Sequence, residues 1–128
     1  MSRTPRIAAL TALVLAASVL AACGGRPDAA FARQCRLTLP ALNSEGAVIR
    51  VLRETRPRAG EVRIDYLVLD GATSRQRWVS CRFAEVPRGS LEIERLATES
   101  GTISGASLFL MKRFWLETPE AAAADPAG

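Results

Sequence analysis

The side chains of this sequence best suited to covalent chemistry are three cysteines, Cys23, Cys35 and Cys81. The chain has no histidine, which excludes Ser-His-Asp and Cys-His catalysis and removes the commonest zinc ligand. Glu92 and Glu94 share one face of a short alternating segment, as glycosidic acid and base groups could. A solvated strand face that carries two ionised carboxylates is far more common than a catalytic pair. We therefore expect no enzyme, no metal site and no cofactor.

The first cysteine follows a segment typical of a bacterial secretion signal. Arg3 and Arg6 precede the apolar run Ile7–Val19. The apolar stretch ends at Ala22, so it is shorter than the roughly 20 residues that a membrane-spanning helix needs. An ordinary cleaved signal has small residues at both recognition positions, and here Leu20 occupies the outer one.

The residues that close this run, Leu20-Ala21-Ala22-Cys23, resemble the lipobox of bacterial lipoproteins. The resemblance covers only the amino terminus. It implies that residues 1–22 are a signal peptide, that diacylglycerol alkylates the Cys23 thiol, and that the chain is cut just before this residue. The new amine is usually acylated in that family, with palmitate as the expected acyl group. Cys23 would then be a membrane anchor, because two or more acyl chains hold a domain stably to a bilayer.

The residue after the cysteine bears on the membrane that carries the anchor. In enterobacterial lipoproteins an Asp at this position tends to retain the protein at the inner membrane, and this chain has Gly24. The resemblance therefore favours the periplasmic leaflet of the outer membrane over the inner membrane. Residues 23–27 are expected to form a short, flexible, lipidated tether.

Size and charge limit the other possibilities. The 128 residues suit one globular domain, and removal of residues 1–22 leaves a chain near the lower size limit for an adequate unaided core. The formal net charge of +4 falls by two when Arg3 and Arg6 are removed. This is too weak a bias to indicate nucleic acid as a partner.

The two remaining cysteines, Cys35 and Cys81, are an even number in an oxidising compartment, which predicts a disulfide. A metal pair would lack other soft ligands, and a reactive thiol would lack a histidine to lower its pKa. In the chain-entropy model, closing a loop of about 45 residues contributes on the order of 4 kcal/mol.

The hydrophobic pattern predicts a helix, four strands and a second helix. Asp28 is a candidate N-cap, Phe31 and Cys35 share a helical face, and this helix should end before Pro40. Alternation is clearest in the second strand, where every second residue after Glu61 is apolar. The predicted strands are 47–55, 61–70, 75–84 and 91–94.

The closing helix is predicted to be capped by Ser104 and to cover 105–116. One arc of this helix carries Leu108, Leu110, Met111, Phe114 and Trp115, and is the expected core-facing side. Phe109 and Leu116 lie on the arc that also carries the basic residues. They either tuck under a loop or the first helix, or they form an apolar strip for a protein partner or a lipid surface. A strand over 108–116 is the alternative.

Together these elements predict an α+β domain over residues 28–117, with a small four-stranded antiparallel sheet covered by an N-terminal and a C-terminal helix. Cys81 would face the helices, and Cys35 would reach it from the first of them. Thr118-Pro119 should end the second helix, and residues 118–128, rich in Ala and Pro, are expected to be a disordered tail.

Arginines concentrate around the third strand. Arg75 and Arg77 open this strand, and the preceding hairpin carries Arg50, Arg53, Arg56, Arg58 and Arg63. Neighbouring strands would gather these guanidinium groups, which suit anionic lipid headgroups or an acidic partner. Alternatively, a GC-rich genome encodes basic residues as Arg, and Asp65 and Glu61 neutralise the patch. Trp78 could add an interface anchor.

The sequence therefore favours a membrane-anchored, periplasmic-side lipoprotein that acts as a non-catalytic docking, assembly or accessory factor of the cell envelope. Its expected partners are membrane lipid, through acylated Cys23, and an envelope protein. The alternative is a tethered ligand-binding or enzyme-binding module, such as an inhibitor or a small-molecule carrier. The candidate partner-binding residues are Arg75, Arg77, Trp78, Phe109 and Leu116.

Overall fold

The computed structural model describes residues 25–85 and 91–128, so the predicted signal segment and the predicted acylation site Cys23 lie outside the described residues. The helices and strands are α1 (Ala29–Arg36), a 3-10 turn (Pro40–Leu42), β1 (Val48–Thr55), β2 (Glu61–Asp70), β3 (Thr73–Phe83), β4 (Ile93–Thr98), β5 (Gly101–Thr102), α2 (Gly105–Met111), a π-helical turn (Lys112–Leu116) and α3 (Pro119–Ala123). The strands form one antiparallel sheet in the order β1-β2-β3-β4-β5.

The α+β class is confirmed, although the sheet has five strands where four were predicted. β2 has the predicted bounds, and β1 and β3 begin or end within two residues of them. β4 extends to Thr98 because it pairs with β3 up to Val79. A turn at Glu99 and Ser100 then returns the chain as the two-residue β5, which begins at Gly101. Gly101 has φ 114°, a conformation that favours glycine.

The core lies between the sheet and the helices. Alternate residues of β2 and β3 point to the same side, so Ile64 pairs with Val79 and Val62 pairs with Cys81. Cys35 of α1 is opposite Cys81 with a Cα separation of 5.8 Å, which is a disulfide-compatible pair, as predicted. The side chains packed in this layer include Ala32, Leu39, Tyr66, Val68, Phe83, Ile93, Leu96 and Leu108.

The residues that precede α1, from Gly25 onward, pack against the domain. The Gly25 carbonyl accepts a hydrogen bond of 2.8 Å from the Arg56 backbone N–H at the end of β1, and Pro27 is buried. Residues 25–27, which belong to the predicted tether, thus lie against the domain. Asp28 caps α1 as predicted, because its Oδ1 accepts from the Ala30 N–H at 2.9 Å.

Residues 105–116 are helical, so the alternative of a strand there is wrong. The predicted core-facing arc is also wrong in part, since Leu108 is buried whereas Leu110 and Phe114 are exposed. The last turn is a π-helical turn closed by a bond from the Glu117 N–H to the Lys112 carbonyl. Such a turn holds an extra residue, so it shifts the side chains that follow out of the 3.6-residue period.

The carboxyl-terminal segment corrects the prediction of a disordered tail. Pro119–Ala123 form the short helix α3, whose N-cap Thr118 accepts from the Ala121 N–H at 3.3 Å. The Ala121 side chain is fully buried. Asp125 pairs with Arg36 of α1, so contacts with a distant helix hold a segment that has no hydrophobic pattern of its own.

Candidate interaction surfaces

One face of the sheet carries no helix, and we call it the open face. The register places on it Arg50, Arg53, Glu61, Arg63, Asp65, Trp78, Ser80, Arg82 and Arg95. Among the described residues it therefore presents five arginines against two carboxylates. Of the arginines in the predicted cluster, Arg50, Arg53 and Arg63 lie on this face. Arg56 and Arg58 lie in the turn region between β1 and β2.

At the centre of the open face, a carboxylate offsets part of the positive charge of the arginines. Asp65 is buried, and its carboxylate lies 3.1 Å from Arg63 Nη2 and 3.5 Å from Arg53 Nη2. The Arg63 guanidinium also stacks over the ring of Trp78, 4.5 Å from its centroid, in a cation–π contact. Trp78 is half-buried by this packing.

Arg75 and Arg77 do not belong to this cluster, which corrects the sequence hypothesis. Strand alternation puts them on the helix side of the sheet, with Arg77 opposite Tyr66 and Arg75 opposite Val68. Arg77 Nη1 donates to Asn43 Oδ1 at 2.6 Å, and its guanidinium also pairs with the carboxylate of Glu99. Arg77 thus fastens the loop before β1 to the sheet.

Tyr66 lies beneath that loop and is fully buried. The Asn43 side-chain amide donates to the Tyr66 hydroxyl at 3.3 Å. Burial raises the pKa of Tyr66, so the phenol stays protonated and acts as a structural group.

Two arginines that sequence reasoning missed lie near the end of the sheet where β2 begins. Arg82 of β3 pairs directly with Arg95 of β4, and both are exposed. They line a shallow pocket of about 180 Å³ together with Arg58, Glu61 and Ser80. The signal that could have found them is strand alternation, because Arg82 is an even-numbered residue of β3 like Trp78 and Ser80.

Glu61 is already engaged within this pocket. Its Oε2 lies 2.9 Å from Arg58 Nε, and its Oε1 accepts a hydrogen bond of 2.7 Å from the Ser80 hydroxyl. The carboxylate charge is therefore offset by Arg58, and the guanidinium groups of Arg82 and Arg95 face solvent.

A second surface is the apolar helix patch, which consists of Phe109, Leu110 and Phe114. Their exposed fractions are 63%, 52% and 71%. Phe109 was one of the predicted partner-binding residues and belongs to the patch. Leu116, the other candidate on this helix, packs against the core instead.

The segment that carries the patch is fastened to the domain at two points. Lys112 Nζ lies 3.2 Å from Glu92 Oε1, just before β4. The Trp115 indole Nε1 donates to the Leu37 carbonyl at 2.6 Å. These contacts and the buried side chain of Leu108 attach the helix to the rest of the domain.

A cleft of about 540 Å³ lies beside Trp115. It is open to solvent, and its walls combine apolar groups with a few polar ones. They include Pro40, Asn43, Ser44, Glu45, Ile49, Trp115, Ala124 and Pro126.

Two further observations concern the described part of the chain. No helix in residues 25–85 and 91–128 has the length and apolar character to cross a bilayer. Those same residues hold no group of three or more Cys, Asp or Glu side chains arranged to bind a metal ion.

Comparisons of the chain with protein-family models, with curated proteins and with solved structures return no match.

Proposed function

We propose that this protein is a lipid-anchored, non-catalytic docking factor of the cell envelope. In this proposal acylated Cys23 holds the domain to the membrane, with Gly24 favouring the outer membrane, and the apolar helix patch binds an envelope protein. The observation that carries the proposal is the exposure of three large apolar side chains on one fastened helix, Phe109, Leu110 and Phe114.

The core does not need these side chains. Leu108 supplies the inward contact of α2, and Ala32 and Cys35 of α1, together with Leu116 of the π-helical turn, pack in or against the core. Apolar area gains roughly 25 cal/mol per Å² when it leaves water, so a matching groove would gain substantially by covering two Phe rings and a Leu. A fixed helix also loses little conformational entropy on binding, which favours recognition of a helix in a groove.

The patch can be tested by site-specific crosslinking in the native membrane. A photoreactive amino acid at Phe109 should yield an adduct with one envelope protein, and Leu110→Ser in the same chain should abolish it. Position Val48 is a matched control, because it is also an exposed apolar residue but lies on β1. Equal adducts from both positions, or none from Phe109 in intact cells, would count against a docking role.

The cleft beside Trp115 supports the second candidate function, a tethered small-molecule carrier. Its volume falls within the range of about 300 to 1,000 Å³ found for ligand pockets. In a Trp78→Phe variant, the only described indole is at Trp115, so its fluorescence reports on the cleft. A saturable change on addition of an apolar probe such as anilinonaphthalene sulfonate, absent in an Ile49→Arg variant, would favour this function over docking.

A further inference from the structure

The fold places one end of the sheet next to the anchor. This step rests on the proposed acylation of Cys23. Gly25 is hydrogen-bonded to Arg56 at the end of β1, and only two peptide steps separate it from Cys23. Two steps span at most about 7 Å, so the turn between β1 and β2 must lie at the membrane surface.

The basic side chains of the open face concentrate at that same end. Near the β1–β2 turn, Glu61 of β2 lies opposite Arg82 of β3, which in turn lies opposite Arg95 of β4. Arg63 of β2 lies opposite Thr55 of β1. At the opposite end, Leu67 and Leu69 pair with Gln76 and Ser74. Of the five arginines of the open face, Arg63, Arg82 and Arg95 lie on the half nearest the anchor. Arg53 lies near the middle, opposite Asp65, and Arg50 lies in the far half, opposite Leu67.

Within the half nearest the anchor, Arg82 and Arg95 place two positive charges directly opposite each other on neighbouring strands. Like charges directly opposite each other on neighbouring strands disfavour the folded sheet, and an anion between them would remove the repulsion. Guanidinium groups match phosphate oxygens in charge and geometry. Arg58 lines the same pocket and adds a third cation, although it also pairs with Glu61.

We propose that Arg82 and Arg95, assisted by Arg58, bind headgroup phosphates of anionic phospholipid in the membrane that carries the Cys23 anchor. Acyl chains combined with a basic surface are a common two-signal arrangement for membrane contact. Headgroup binding fixes the orientation of the domain, with the β1–β2 turn against the bilayer and the β2–β3 turn directed away from it.

The test uses the full lipidated protein reconstituted into vesicles of phosphatidylcholine alone or of phosphatidylcholine and phosphatidylglycerol in equal parts. Arginines are modified with phenylglyoxal, and the rate at each site is read by peptide mass spectrometry. Modification of Arg82 and Arg95 should slow about fivefold in the anionic vesicles, which corresponds to the usual attraction of one basic residue to such a surface. Arg75, exposed on the helix side at the far end, is the internal control and should not change.

Salt separates headgroup contact from anchoring. Raising the salt from about 0.1 M to about 1 M should restore the modification rates, because it shortens the Debye length from about 10 Å to about 3 Å. The protein should remain on floated vesicles throughout, since the acyl chains do not depend on charge. In the Arg82→Gln/Arg95→Gln variant the protection of Arg58 should disappear, whereas Arg75→Gln should leave it intact.

Three results would overturn the proposal. The first is equal modification of Arg82 and Arg95 in both vesicle types, and the second is equal protection of Arg75. The third is the same protection by inorganic phosphate in detergent, which would identify a soluble phosphate as the ligand. A protein that fails to float with either vesicle type would instead show that the Cys23 anchor is wrong, and this outcome also removes the basis for headgroup binding.

Discussion

The guanidinium of Arg36 donates to both carboxylate oxygens of Asp125, with Nε 2.7 Å from Oδ1 and Nη2 2.9 Å from Oδ2. Its Nη1 lies 2.6 Å from Glu54 Oε1 on β1. One side chain of α1 therefore joins the helix, the sheet and the carboxyl-terminal segment. The bond to Asp125 is the main reason why the pKa of Arg36 lies above its usual value, and the bond to Arg36 is the main reason why the pKa of Asp125 lies below its own.

We expect Asp125→Ala to lower the free energy of unfolding at neutral pH by about 2 kcal/mol, because it leaves a largely buried guanidinium with one carboxylate partner fewer. The substitution should also release residues 119–128 to proteolysis. Urea unfolding of the purified protein measures the first effect. Glu45→Ala is the control, since Glu45 is exposed and such changes are usually within about 0.5 kcal/mol.

The Arg36–Asp125 pair also predicts a pH dependence. The pKa of Asp125 is lower in the folded protein than its unfolded value of about 3.9, so the folded state binds the proton less readily. The stabilisation is fully present above the unfolded pKa and is lost as the pH falls through the folded pKa. The difference in unfolding free energy between wild type and Asp125→Ala should be constant near neutral pH and should shrink below about pH 4. A difference that grows on acidification would contradict this assignment.

The Cys35 and Cys81 pair should account for a large share of the stability. The two residues are 46 positions apart, and both are fully buried between α1 and the sheet. A loop of this length contributes on the order of 4 kcal/mol in the chain-entropy model. Cys35→Ala/Cys81→Ala should lower the unfolding free energy by that order, as should reduction of the wild type. Rapid labelling of both thiols in the native protein without denaturant would show that the bond is absent.

Arg77 and Arg75 should differ sharply although they are two residues apart on β3. Arg77→Gln removes the donor to Asn43 and the partner of Glu99, so we expect a loss of about 2 kcal/mol. Arg75→Gln changes an exposed side chain and should alter the unfolding free energy by less than about 0.5 kcal/mol. Thermal unfolding of the two variants measures both. Equal small effects would mean that Arg77 does not hold the loop before β1.

Arg75 and Arg77 also show which features of the fold the sequence pattern predicts and which it does not. Alternation predicted the bounds of β2, and it also places Arg77 on the same face as Val79 and Cys81. Alternation does not reveal that this face of the sheet extends beyond the helices. There Arg77 contacts Asn43 and Glu99, which lie outside the core. Such partners belong to residues distant in the chain, as do the contacts that order the segment after Thr118.

Leu108 belongs to the core, and Leu110 belongs to the apolar helix patch. The 3.6-residue period placed both on one arc, but only Leu108 is buried. We expect Leu108→Ala to cost about 2 to 3 kcal/mol by leaving a cavity, and Leu110→Ala to cost little. Chemical unfolding of the two variants tests this, and Leu110→Ala should weaken partner crosslinking while leaving stability near the wild-type value. A large destabilisation by Leu110→Ala would mean that this side chain serves the core.

Cys23→Ser tests the anchor on which the membrane proposals depend. The hydroxyl cannot replace the thiol as the acceptor of diacylglycerol, so the variant should lose acylation and accumulate as an uncut precursor. The disulfide-compatible Cys35 and Cys81 lie in a separate packed layer, and the fold should therefore be unaffected. Palmitate labelling and mass spectrometry of the wild type should show an acylated residue 23 at the new amino terminus, and globomycin should make the wild-type precursor accumulate. A wild-type precursor level insensitive to globomycin, or a product that retains its first methionine, would place the chain outside the lipoproteins.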